Sequence, residues 1–405
     1  MKKMIVIIDP IVSGFSHEMV NAGFVYSVSK DNSDKKILFI AEEKHIECIK
    51  YIFSNNNYEA NNIEYVNYNN IVDFIKINIR LLSYSKKNLI KNFVFLSFNA
   101  VVVAFIYKFI RNTQVYLISH AILESIIGNE NNRENLPREG GVYLEKIRTS
   151  SLKFLAYSLW KRINRFIKEA FSKNINKLFN FKNLFLNESR SNVTYILLSE
   201  HIKINLLKLN VLHGNKIKVV TMPYIFPKFP SSALSKKLNN FGILGYGNPK
   251  VMKKIVDKIN RLCQEEEYTF WNIGANTNGL KNIKNLKTPV SGRFLTRSEI
   301  DRYAKELDFT LILYDKDSYT LSCSAAILES ILYLRPIIYL DNSCINEFNK
   351  TNIGIKCSSL EYLIEIIEDI IKNPVKYEDQ FAIYKKNILD LQNNLNLNNR
   401  RLFNG

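Results

Sequence analysis

A chain of 405 residues exceeds one compact domain of ordinary size, so two domains are expected. With 46% hydrophobic and 12% aromatic residues but only 9 Pro and 14 Gly, it can build real cores, which excludes disordered and collagen-like classes. The formal net charge of +18 favours anionic partners (nucleic acid, nucleotide diphosphates or an acidic membrane face) without choosing among them. Cys48, Cys263, Cys323, Cys344 and Cys357 are scattered, with no C-x-x-C pair. That spacing argues against a disulfide framework or a zinc site and for a reducing, cytoplasmic setting.

The opening MKKMIVIIDP has the basic head of a signal peptide, but its apolar run stops at Asp9-Pro10. Met4–Ile8 therefore reads as a strand buried on both faces. The turn residues Ser13-Gly14 follow, then a helix from Ser16 to Ser29. Further strands are expected at Lys36–Ile40, Ile63–Val66, Phe93–Phe98, Val115–Ser119 and Tyr195–Leu198, with helical patterns between most of them. Asn92–Ile110 approaches the roughly 20 residues of a membrane span. Asn92, Asn99 and Lys108 interrupt it, so it reads as a strand followed by a helix from Asn99.

KVVTMPYIF, Lys218–Phe226, reads as one more strand, and Pro227, Pro230 and SSALSKKLNN as a linker. Alternation then resumes. Strands are expected at Phe241–Leu244, Tyr268–Ile273, Phe309–Tyr314 and Pro336–Leu340. Helices are expected at Pro249–Glu266, Thr296–Lys305 and Ala325–Tyr333, and along Glu361–Leu395. The fold class is α/β, with two Rossmann-like domains facing across a cleft, residues 1–228 and 238–375, followed by a C-terminal helix in 376–405.

Leu152–Phe171 differs from the rest. Apolar residues including Leu155, Leu159, Trp160, Ile163 and Phe166 repeat at helical spacing, flanked by Lys153, Lys161, Arg162, Arg165 and Lys168. A basic amphipathic helix over about 150–183 suits an anionic membrane surface; a core-facing helix with a solvated basic side is the plainer alternative.

The most informative stretch is Asp308–Leu340. A buried strand ends at Tyr314, a polar loop runs from Asp315 to Ser324, and a helix opens with Ser324-Ala325-Ala326. Free N–H groups beside small side chains suit a diphosphate. Glu329, the single acid in that apolar helix, lies where a carboxylate can accept from two ribose hydroxyls. An ordinary Ser-capped helix with one solvated Glu fits the same spacing. Phe241–Gly247 runs a strand into a glycine-rich turn with Gly245 and Gly247, which is by itself more often only a tight turn.

This stretch resembles the donor-binding segment of family 4 and related glycosyltransferases of the GT-B architecture. The shared features are Asp308, Leu311–Tyr314, Ser324-Ala325, Glu329-Ser330 and Arg335-Pro336-Ile337-Ile338. The resemblance implies that Glu329 holds the ribose, that the turn at Ser324 and Ala325 meets the phosphates beside Tyr314, and that Arg293 and Phe294 lie where backbone groups hold the base. Arg293 reads equally well as a surface charge. Ala325 stands where Gly is usual, Arg335 where a small residue is common, and Leu321 where relatives carry an upstream acid. That last departure leaves the retaining or inverting outcome open.

In the first half, Ser16 can cap a helix with Glu18 in its first turn; alternatively His17 or Glu18 faces the acceptor. His120 follows another strand end, with Glu124 one turn on, and suits a base or a sugar contact. His45, His201 and His213 have no comparable context. The resemblance implies transfer of a sugar from a nucleotide-diphosphate donor to a glycan or lipid-linked acceptor in surface polysaccharide synthesis. It implies no cofactor and no metal, and a cytoplasmic, membrane-peripheral location. No nucleic-acid-binding module is present. A nucleotide-sugar 2-epimerase of the same fold and a non-catalytic membrane-associated assembly factor are the alternatives.

Overall fold

Short apolar runs become strands of two parallel sheets, each covered by helices, because only such a layer buries both faces of a continuous hydrophobic strand. The structure is a computed structural model that describes residues 3–12, 14, 17–68, 77, 81–85, 87, 89–127, 181–187, 190–212, 214–226, 238–245, 247–274, 279–289 and 295–397. The basic segment 150–183, the linker 227–237, Ser16, Arg293 and Phe294 lie outside the described residues, save 181–183.

The first unit contains β1 (Met4–Ile8), α1 (Glu18–Asp31), β2 (Ile37–Glu42), α2 (Glu43–Asn55), β3 (Ile63–Tyr68), β4 (Ile90–Phe95), α3 (Ala100–Phe109), β5 (Gln114–Ser119), α4 (Phe181–Asn187), β6 (Val193–Leu197), α5 (Glu200–Lys208) and β7 (Lys216–Val219). Its sheet runs β3-β2-β1-β4-β5-β6-β7. The second unit contains β8 (Asn240–Leu244), α6 (Pro249–Leu262), β9 (Thr269–Ile273), β10 (Leu286–Lys287), α7 (Arg297–Ala304), β11 (Phe309–Ile312), α8 (Ala326–Leu332), β12 (Ile337–Leu340), α9 (Ser343–Phe348), β13 (Gly354–Cys357), α10 (Leu360–Lys372) and α11 (Val375–Leu395). Its sheet runs β10-β9-β8-β11-β12-β13. Both are Rossmann-like, and their strand order reverses at β1/β4 and at β8/β11. Crevices open at such reversals, outside the carboxyl ends of the strands.

Local chemistry explains most boundaries. Asn248 caps α6 by accepting from Val251 N at 3.2 Å, with Pro249 preset for the first turn. Thr296 and Glu299 form a reciprocal capping box on α7. The apolar tail is two helices rather than one, because Pro374 cannot continue α10. Of the expected Lys218–Phe226 strand only Lys218 and Val219 join the sheet, as the end of β7; the residues beyond include Pro223, which has no N–H to give a ladder. Asn92–Ile110 is strand then helix, and among the described residues no helix is long and apolar enough to cross a membrane.

Arg335 stands where a small residue was expected, and the packing explains it. The residue is 5% exposed, and its guanidinium donates to the Ala304 carbonyl at 3.2 Å and the Lys305 carbonyl at 2.8 Å. It thereby closes the C-terminus of α7, where the helix dipole favours a cation. Arg335→Ala is expected to lower stability by about 1–3 kcal/mol through the loss of these charged hydrogen bonds. A urea melt of the two proteins measures this.

Candidate active site

At the β1/β4 reversal the chain builds a polar knot. Asp9 is fully buried at the end of β1 and accepts from the Asn21 amide at 2.6 Å, from Ser97 beyond β4, and from the Ile11 and Val12 N–H groups. His45 is also fully buried; its Nδ1 lies 2.8 Å from the Gly14 carbonyl and its Nε2 3.0 Å from the Asn21 amide. A carbonyl only accepts, so Nδ1 carries a proton and Nε2 receives the amide. Glu42 accepts from Gly14 N at 3.2 Å. These bonds hold the loop that ends at His17. That residue occupies the N-cap position of α1 in the left-handed region, φ 53°, and makes no side-chain cap. The helix thus begins at Glu18, and Ser16, the expected cap, lies outside the described residues.

At the β8/β11 reversal the expected donor segments converge. Gly245 turns with φ +83°, and a Cβ placed on it would lie 4.0 Å from the Ala326 side chain at the start of α8. Ser324 is buried; its hydroxyl accepts from Ala326 N at 3.2 Å and bonds the Tyr314 hydroxyl at 2.7 Å. The Tyr314 ring packs 4.6 Å from that of Tyr319. Gly247, next on the same turn, sits against Ile243, whose side chain leaves no room for a Cβ. Ala325 precedes α8 in helical conformation and needs no glycine there.

Glu329 is neither solvated nor isolated. Arg297 grips it with both terminal nitrogens, Nη1 to Oε2 at 2.8 Å and Nη2 to Oε1 at 3.0 Å, and Tyr224 donates to Oε1 at 2.5 Å. The same guanidinium reaches into the first domain, its Nε 3.2 Å from Glu18 Oε1. Side-chain exposures of 15%, 15% and 8% for Arg297, Glu329 and Glu18 make this a largely desolvated triad. Burial raises the Glu18 carboxyl above its ordinary 4.5, against the opposing pull of Arg297. Tyr333 joins from α8, bonding Arg297 at 3.2 Å and Asp301 at 2.5 Å.

His120 lies beyond β5, half-buried, its ring 5.1 Å from that of His17. Burial and then the neighbouring His17 push its imidazole down to about 3, so it is neutral at ordinary pH. Two more contacts cross between the domains nearby. Glu124, in the 3₁₀ turn after β5, accepts from Leu321 N at 2.8 Å and from Ser322 Oγ at 2.7 Å. His201 at the start of α5 meets Glu347 of α9 and the carbonyls of Tyr319 and Ser322. His201 does have a context after all: it follows the end of β6 as His120 follows β5. That signal was present in the sequence, whereas nothing local marked Arg297, Tyr224 or His45.

The Glu18–Arg297, Glu124–Leu321/Ser322 and His201–Glu347 contacts join the two domains. A cavity of about 440 Å³ lined by Ser125, Ile126, Ile127, Lys182, Leu209 and Val211 contains none of the candidate residues. Among the described residues no cluster of His, Cys, Asp or Glu could hold a metal ion.

No protein-family model and no curated protein sequence matches the chain. Solved structures do. HepE from Anabaena in complex with UDP-glucose superposes with a TM-score of 0.56 at 11% identity, covering 97% of this chain and 96% of that one. A glycosyltransferase from Rickettsia africae gives 0.53 at 12% identity, with 98% and 95% covered. TarM of S. aureus, in complex with fondaparinux, alpha-GlcNAc-glycerol and UDP, gives 0.52 at 11%, with 99% and 100% covered. The chain has the GT-B fold. Identity this low carries the architecture and leaves the chemistry to the site.

Arg297→Met would leave Glu18 and Glu329 buried without their shared cation, so the variant should be about 3–5 kcal/mol less stable at neutral pH. The sign with pH follows from Glu18. A carboxyl raised in the folded state disfavours folding above its raised value and ceases to do so below its ordinary 4.5. The deficit of the variant should therefore shrink as pH falls toward 4.5. Chemical denaturation at neutral pH and at about pH 5 reads both effects.

Proposed function

We propose that this chain is a glycosyltransferase that transfers a sugar from a nucleoside diphosphate to a glycan acceptor. The observation that carries the reading is the meeting of the Gly245 turn, the Ser324-Ala325 entry to α8 and Glu329 at the reversal point of the second sheet. They lie opposite the loops of His17, Glu18 and His120. HepE holds UDP-glucose, and TarM holds UDP with fondaparinux and alpha-GlcNAc-glycerol, which supports a uridine diphosphate donor and a glycan acceptor.

Phosphate charge developing on the leaving diphosphate would be met by N–H groups entering α8 and by basic side chains, so the reading needs no metal ion. Gly245, Gly247 and Ala325 keep backbone close to that charge, and Tyr314 holds Ser324 in place. Arg293 and Phe294 keep the role of holding the base. Glu329 takes the ribose by exchange. A carboxylate offers roughly four lone-pair sites, and Arg297 and Tyr224 use three of them. A ribose hydroxyl would replace Tyr224 on Oε1, while Arg297 keeps the carboxylate aimed. His120, neutral, can accept a proton from the acceptor hydroxyl or bond the donor sugar, with His17 beside it. Glu18 is better placed to hold Arg297 than to touch the acceptor. The basic sequence of 150–183 supports a peripheral position on the cytoplasmic face of a membrane and a lipid-linked acceptor.

Calorimetry with UDP tests the donor site. Glu329→Ala should weaken binding by about 1–3 kcal/mol, the loss of a charged hydrogen-bond acceptor, while Tyr224→Phe should change affinity little. Equal affinity for wild type and Glu329→Ala removes the carboxylate from the site. Release of UDP only in the presence of an acceptor supports transfer, and a changed sugar still attached to UDP marks an epimerase.

Catalysis by a neutral His120 predicts two further results. His120→Asn should lower turnover by about 10²–10⁴, the range of general-base catalysis, and leave UDP affinity intact. Because the imidazole stays neutral down to about 3, turnover should show no acid limb near 6.5 from this residue. A pH–rate profile with a limb there that disappears in His120→Asn would refute the assignment.

A further inference from the structure

The loop between β11 and α8 is held by the other domain as well as its own. Glu124 accepts from Leu321 N and Ser322 Oγ, and Asn205 donates to the Thr320 carbonyl at 2.8 Å. His201 sits at the centre of the grip. Its Nε2 is 3.0 Å from the Tyr319 carbonyl and 3.0 Å from that of Ser322. Carbonyls only accept, so Nε2 carries a proton.

The other nitrogen faces the same kind of company. Nδ1 lies 2.7 Å from Ser199 Oγ and 3.3 Å from Glu347 Oε2. Ser199 gives its one hydroxyl proton to Glu347, so toward the imidazole it can only accept. Nδ1 is therefore protonated too, and the ring is an imidazolium. The Glu347 carboxylate also accepts the backbone N–H groups of Glu200 at 3.1 Å and His201 at 2.9 Å. A side chain of the second domain thus supplies the N-cap of α5 in the first, and Ser199, in the N-cap position, makes no cap of its own.

We infer that His201 and Glu347 are positioning residues for the donor loop: their ion pair clamps Tyr319 to Ser322 against the first domain, and the clamp loosens when the imidazolium loses its proton. The role rests on the proposal that this loop faces the donor diphosphate. The groups facing the ring are Glu347 and Cys344 from α9 and Tyr319 from the loop, with Cys323 3.9 Å from Cys344. On α5 itself, Glu200 and Lys203 pair at the surface.

Burial disfavours charge on His201, but Glu347, Cys344 and the Tyr319 carbonyl outweigh it and raise the imidazole above 6.5. For Glu347, burial would raise the carboxyl, but His201, Ser199 and the two N–H groups hold it at about 2. The raised imidazole stabilises the closed form fully below 6.5 and stops doing so as pH rises through its folded value. The depressed carboxyl contributes above 4.5 and is lost only as pH falls toward 2. The clamp is therefore tight between these limits and opens on the alkaline side.

Hydrogen exchange of the peptide spanning 319–324, corrected for intrinsic rates, tests the clamp without any ligand. Wild type should lose protection as pH rises above 6.5, by no more than tenfold per pH unit because one proton is linked. His201→Gln should show weak, pH-independent protection, and Glu347→Gln should fall to the same level; thermal melts confirm that both fold. Protection that is equal in wild type and His201→Gln, or flat with pH in wild type, overturns the clamp. UDP titrations at the same pH values separate the two readings. UDP affinity that declines with the wild-type clamp and is flat in His201→Gln supports the positioning role. UDP affinity unchanged while the clamp opens overturns that role. A pH-dependent clamp in a chain that binds no UDP refutes the donor site and with it the positioning role.

Discussion

One guanidinium holds the architecture to its chemistry. Arg297 is anchored at the capped start of α7, fills both oxygens of Glu329 and reaches across to Glu18. Two buried carboxylates from different domains cannot sit this close without a shared cation, since each would meet the desolvation cost alone. The rigid, planar fork makes the sharing work in a way a lysine could not. One bridge between the domains, the aim of Glu329 and the burial of Glu18 are consequences of the same contact.

Around that cation, each domain prepares its own edge. In the first, Asp9 gathers donors from both sides of the β1/β4 reversal and fixes the loop that carries His17. In the second, Tyr314 and Ser324 brace the turn into α8. These are satisfied buried polar groups, and they are costly to disturb in a low-dielectric setting.

The two parallel sheets were legible because parallel strands read as unbroken apolar runs, such as Met4–Ile8, and caps such as Thr296 announce their helices. What escaped was short or distant. β13 is only Gly354–Cys357, too brief for a period, and β10 is two residues long. Glu329, Ser324 and Gly245 stood out because small residues and a lone acid in an apolar run are local signals. The partners of Glu329 are not local: Tyr224 is 105 positions away, and Arg297 meets Glu18 across 279. No periodicity encodes such pairings. His201 was overlooked for a different reason, since the strand-end rule that selected His120 applied equally to it.

Helix α1 has a mechanical role that follows from its two chain crossings. At Gly23 an added Cβ would lie 2.9 Å from the Pro223 backbone, so the outgoing chain lies flat against the helix. Near the other end, Lys30 bonds the Leu397 carbonyl at 3.0 Å, where the returning chain docks. Positions 23 and 30 are separated by about 10 Å of helix at 1.5 Å per residue. The segment that leaves the first unit and the segment that returns to it are thus tied to the same stiff rod, seven residues apart, so a change that tilts this helix is felt at both chain crossings at once.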